Sequence, residues 1–194
     1  TQFYCEFNNV VIGNLNNPTV IQATGTTVPD NILGSLTING SSILNLGSSQ
    51  WNGGTSGGGT GNAGTLTLNG TSQIRMAAVS GGQSGSNFPS RFSSYSLAPG
   101  TTVEYRNAGG TSQTIFNNVI YGNLVLTNSS GSGTATKNAG GNLTITGNLV
   151  INANTTFDVT ISNYALTVGG NWTNNGNFTR RNGTVIFTTS NSGR

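Results

Sequence analysis

The chain has 194 residues, room for one ordinary domain or two small repeat units, with only seven Lys/Arg and four Asp/Glu among them. That 6 % charged content lies far below the roughly 25 % of ordinary soluble domains, and the absence of histidine excludes Ser-His-Asp triads and His-ligated metals. The net charge of +3 is scattered over Arg75, Arg91, Arg106, Lys137, Arg180, Arg181 and Arg194, so no clustered patch marks nucleic acid as a partner.

Thr1–Tyr4 has neither the basic region nor the apolar core of a signal peptide. The chain is therefore expected to be a mature processed protein or a segment of a longer one. No stretch approaches the ~20 apolar residues of a membrane span. Cys5 is the only cysteine; it cannot form an internal disulfide and is expected to be a small buried hydrophobe. After it come Gly-containing turns, each followed by apolar-polar-apolar alternation: Gly34–Ile38, Gly64–Leu68, Gly122–Leu126, Gly141–Ile145 and Gly147–Ile151. Period-2 alternation of this kind predicts short strands with one buried face. Asn-Gly pairs at 39–40, 69–70, 175–176 and 182–183 supply turn positions with positive φ at low cost. Two segments break the pattern. Residues 51–62 run from Trp51 into a glycine tract and predict a flexible excursion. Residues 77–99 carry Gly81-Gly82 and then Phe88, Phe92 and Tyr95, and predict an inserted loop that packs back on its own aromatics. No segment shows a 3.6-residue period.

The chain also repeats itself. Phe7–Leu15 returns as Phe116–Leu124, 109 residues on, and Leu36–Gly40 returns as Leu143–Gly147. Leu66–Gly70 matches Leu166–Gly170, and Gly100–Tyr105 resembles Gly183–Phe187. Two copies of one long unit are expected, over 1–106 and 107–194, the first enlarged by insertions near 51–62 and 77–99. Apolar residues so regularly placed, with so little net charge, argue for a folded chain over a disordered one. The fold class expected is all-β, a parallel β-helix (β-solenoid) with loop insertions in its first half. Its coils would hold roughly 20–25 residues, and stacking ~4.8 Å apart would make a rod about 40 Å long. Asn and Thr at equivalent turns would stack into ladders of identical side chains. An antiparallel sandwich is the alternative.

The runs Tyr121–Leu126, Gly133–Lys137, Gly141–Leu149, Tyr164–Phe178 and Gly183–Phe187 resemble the β-helical repeats of large exported surface proteins of Bacteroidota. The resemblance covers most of 103–190 and, more weakly, the first unit. It implies a secreted or cell-surface setting and an adhesin-like scaffold.

No enzyme, cofactor or metal is expected. A glycosidase needs two carboxylates at a defined separation, whereas Glu6, Asp30, Glu104 and Asp158 are far apart and are read as solvated turn residues or caps. Gly57–Gly61 lacks the lysine and the following helix of a phosphate loop. Eight Asn-x-Ser/Thr triplets are read as turn chemistry. The primary expectation is a structural or adhesive repeat module whose partners are like chains or array neighbours, engaged through the solenoid ends. The alternative is a carbohydrate-binding module for a polysaccharide, using Trp51, Phe88, Phe92 and Tyr95 of the insertions. Trp172 has the phase of a core residue. Ice binding by Thr65-x-Thr67 and Thr144-x-Thr146 is a third possibility, weakened because the threonines do not persist from coil to coil.

Overall fold

The computed structural model describes residues 6–13, 16–21, 30–54, 63–78 and 86–188, although not the side chains of Glu6 and Asp30. Cys5 and most of the glycine tract lie outside this set. Among the described residues there are only short strands, turns and bends, and no helix. The strands come in successive passes: β1 (Glu6–Phe7), β2 (Val10–Ile12) and β3 (Thr19–Ile21); then β4 (Asp30–Ile32), β5 (Leu36–Ile38) and β6 (Ile43–Gly47). The third pass is β7 (Trp51–Gly53), β8 (Ala63–Leu68) and β9 (Gln73–Met76), and the fourth is β10 (Phe92–Leu97) and β11 (Thr102–Tyr105). Then follow β12 (Ser112–Ile115), β13 (Ile120–Tyr121) and β14 (Asn123–Leu126), and β15 (Ala135–Ala139), β16 (Leu143–Ile145) and β17 (Leu149–Ile151). The last are β18 (Thr155–Asp158), β19 (Leu166–Val168), β20 (Trp172–Asn174), β21 (Asn177–Thr179) and β22 (Val185–Phe187).

The early passes visit one set of sheets in a fixed order and the later passes another, and every strand pairing among the described residues is parallel. The antiparallel sandwich is thereby excluded. One sheet runs through the whole stack in the order β3-β6-β9-β11-β14-β17-β20. The other strands fall into an early set, β1-β4-β7 and β2-β5-β8-β10, and a late set, β12-β15-β18-β21 and β13-β16-β19-β22. The continuous sheet crosses the 106/107 boundary, where β11 pairs with β14.

Alternation places one residue type over another from pass to pass. Leu44, Ile74, Val103, Leu124 and Leu149 form one interior column of the continuous sheet, and all five are fully buried. Each such side chain contributes roughly 1.5–3 kcal/mol of burial, which is how a chain with so few apolar residues can build a core. The corners depend on glycine. A Cβ on Gly70, which has φ +67°, would stand 2.6 Å from the Gly40 carbonyl oxygen, and one on Gly170 would stand 2.5 Å from Gly147. Layers at strand spacing leave no room there for a side chain.

The structure corrects three expectations. Phe92–Leu97 is not loop but strand β10, laid in parallel on β8 with Tyr95 over Leu66 and Leu97 over Leu68. Its Ser-Ser-Tyr-Ser sequence hides the alternation, because its exposed positions are small and it has few apolar markers. Trp51 likewise opens strand β7, paired with β4. The pairing of Gly100–Tyr105 with Gly183–Phe187 also fails spatially: β11 belongs to the continuous sheet and β22 to the β13-β16-β19-β22 sheet. In the late passes β22 is the counterpart of β10. Local sequence similarity at a turn followed by a strand does not say which sheet the strand joins.

Candidate functional site

Asparagine ladders do form, but of another kind from that expected. Asn69 Nδ2 donates to Asn39 Oδ1 at 2.9 Å, side chain to side chain. More often an Asn side-chain oxygen accepts from the backbone N–H of the next layer. The Asn148 N–H donates to Asn123 Oδ1 and the Asn171 N–H to Asn148 Oδ1, both at 2.8 Å. Ala165 N–H uses Asn142 and Asn182 N–H uses Asn163 in the same way. Corners interrupt the strand ladder, and the amide oxygen satisfies an N–H that would otherwise lack a partner.

The aromatic candidates are mostly core. Phe88 is fully buried and stacks on Phe116 with ring centroids 4.8 Å apart. Phe92 is 4 % exposed and Trp51 8 %, with the Trp51 ring 6.3 Å from that of Phe7. None of these three offers a free ring face to a sugar. Tyr95 alone is partly exposed; it sits among Phe88, Phe92 and Phe116. Large rings pack inward because each buries more apolar area than any other side chain here can, and local sequence could not show that Phe116 waits opposite. Tyr105 and Tyr121 complete this cluster, their hydroxyls 2.9 Å apart and both rings fully buried. Burial pushes both phenols up.

Beside the cluster the stack has a discontinuity. β10 and β13 lie next to each other but do not pair. The gap is a cleft of about 430 Å³ lined by Ser93, Ser94, Tyr95, Asn117, Asn118, Val119, Ile120, Asn142 and Thr144. Its size falls within the roughly 300–1,000 Å³ of small-molecule sites. Ser94 is held by a 2.7 Å hydrogen bond to Thr65 Oγ1, Ser93 by the Ala63 carbonyl, and Asn142 by Ala165 N–H. The Asn117 and Asn118 carboxamides are exposed and have no hydrogen-bond partner among the described residues. Among the described residues the polar groups lining the cleft are hydroxyls, carboxamides and the Tyr95 phenol, all able to hydrogen-bond a ligand.

Of the two acids whose side chains are described, Asp158 does cap a turn, accepting the Thr160 N–H at 2.7 Å, and Glu104 does not. Glu104, in mid-strand, lies over Arg75 with an N···O distance of 3.2 Å. Asp158 takes Arg181 in a two-point contact at 2.6 and 2.7 Å, which holds its carboxyl below the usual range. Sequence reasoning counted Lys137 only among the scattered cations and missed that it is buried. It points inward from β15, is fully buried, and its Nζ reaches only Gln113 Oε1, at 3.4 Å. Desolvation lowers it to about 7, against a smaller attraction from Glu104. The one available signal was its phase, Ala135-x-Lys137-x-Ala139, which puts it in line with two inward alanines. Among the described residues no three of His, Cys, Asp and Glu gather where a metal could sit, and no helix is long and apolar enough to cross a membrane, which says nothing of a β-barrel.

Outward threonines stack in two short files in separate sheets: Thr37 on Thr67, then Ser96, and, beyond the cleft, Thr144 on Thr167 between Ile120 and Ile186. The two pairs are separated by other residue types.

Comparison with known proteins finds no matching family model, no similar curated protein and no similar solved structure.

Proposed function

We propose that this chain is a parallel β-helix serving as a structural or adhesive module at a cell surface, one that stacks end to end with its own kind. The observation that supports the reading best is the seven-stranded parallel sheet running from β3 to β20, with both outer faces of the stack unclosed among the described residues. At one end Phe187 of β22, in register with the fully buried Val168, is 59 % exposed beside Trp172. At the other, Val10 and Val20 are only half-buried, whereas Leu36 and Leu44, the residues they pair with in the next layer, are fully buried. Parallel edges with apolar neighbours suit another layer of the same construction, because the backbone groups and the inward columns both continue. The few charges provide little repulsion against this. The resemblance to repeats of exported Bacteroidota surface proteins supports the extracellular setting.

The test is light scattering of the purified chain over a hundredfold concentration range. Growing mass and elongated shape are expected, and Phe187→Lys together with Ile186→Lys should abolish the growth. A monomer at every concentration would overturn the stacking.

A further inference from the structure

We propose that the cleft between β10 and β13 is a binding site for an uncharged saccharide. This goes beyond the structural role and does not depend on it. The lining divides as a sugar ring divides. Half-buried Tyr95 and Ile120, which is 58 % exposed, supply the apolar part of the lining that reaches the surface, while Val119 is buried; such apolar contacts suit the C–H face of a pyranose. Around them stand hydroxyls and carboxamides that both donate and accept, as a polyol requires. Asn117 and Asn118 carry this argument: their amides have no partner among the described residues, while Ser93, Ser94 and Asn142 are fixed by bonds to the fold.

The fold also keeps the site open. β10 is in register with β8, and β13 with β16, but rings from Phe88, Tyr95, Phe116 and Tyr121 fill the space between the two halves. Phe116 is pinned there by its N–H donating to the Tyr105 hydroxyl at 2.9 Å, and the Tyr121 hydroxyl donates to the Phe116 carbonyl. The packed rings make one wall of the cleft rigid, and the exposed Asn117 and Asn118 amides stand beside it. No charged group lines the cleft among the described residues, and such a lining selects against uronic acids and phosphosugars, which would have to shed water without an ionic partner.

Saturation-transfer NMR with neutral gluco-, manno- and chito-oligosaccharides tests this, with oligogalacturonate as the acidic comparison. At least one neutral series should show transfer, and the acidic one none. Asn117→Ala and Asn118→Ala should each weaken binding about five- to tenfold, as the loss of a hydrogen-bonding partner implies, with unchanged circular dichroism and unchanged light scattering. No transfer from any neutral series, equal binding of oligogalacturonate, or full binding by the double variant would overturn the proposal. So would competition by an extended Ser/Thr/Asn-rich peptide that the alanine variants leave intact, which would identify strand addition instead. The stacking reading stands or falls separately, on light scattering.

Discussion

Replacing Lys137 by methionine should stabilise the protein at neutral pH, and the stability of the parent chain should itself rise with pH. The buried amine is lowered from 10.5 to about 7, so between these values the unfolded chain holds a proton that the native state does not. Stability therefore increases as pH rises through this window and is lost as pH falls toward 7. At 1.36 kcal/mol per pH unit, the gain between pH 7 and 9.5 is about 3 kcal/mol, and the cost at pH 7 is about 4 kcal/mol. Methionine keeps most of the aliphatic volume and removes the linkage, but leaves the buried Gln113 Oε1 without its donor, a cost of about 1–3 kcal/mol. A net gain of about 1–3 kcal/mol at pH 7 follows. Urea unfolding at several pH values reads it as a midpoint shift of about 0.5–1 M. Above pH 10 the buried Tyr105 and Tyr121 hydroxyls, raised in the native state, reverse the trend. A parent midpoint that is flat or falling between pH 7 and 9.5, or a Lys137→Met chain less stable at pH 7, would refute the reasoning.

Three further outcomes can be checked. Gly70→Ala should cost at least 2 kcal/mol by thermal or urea unfolding, since a Cβ there meets the Gly40 carbonyl oxygen in a left-handed conformation. Thr160→Asn should stabilise by about 1 kcal/mol, because a β-branched residue at φ +64° is strained where asparagine is tolerated. Arg181→Gln should raise the Asp158 carboxyl toward its ordinary value, seen by NMR titration. Because that carboxyl is lowered in the parent, the ion pair's support is present above the carboxylate range and fades as pH falls through it.

Much of the fold was legible in the chain. Leu-x-Ile triplets after Gly turns, such as Gly34–Ile38 and Gly141–Ile145, became β5 and β16 because alternation reports a backbone that buries one face. The return of Phe7–Leu15 at Phe116–Leu124 marked β2 and β13, strands that open comparable sheets. Phe92–Leu97 was illegible because its outward positions are serines and its inward ones vary. The candidate site was legible only at Tyr95. Asn117, Asn118 and Ser94 have no local mark of function; they meet because layers far apart in sequence stack on one another.

The sequence by itself determined that the chain is all-β, built of repeated short strands, and poor in the groups that acid-base or metal chemistry needs. Those are properties of composition and of period, which are local. Only the tertiary structure decided which strand lies over which, that Phe88 and Phe92 belong to the core, that Lys137 faces inward, and that a cleft opens between β10 and β13. These depend on which residue comes next along the stack, about 19–30 residues away, and no local pattern encodes that neighbour.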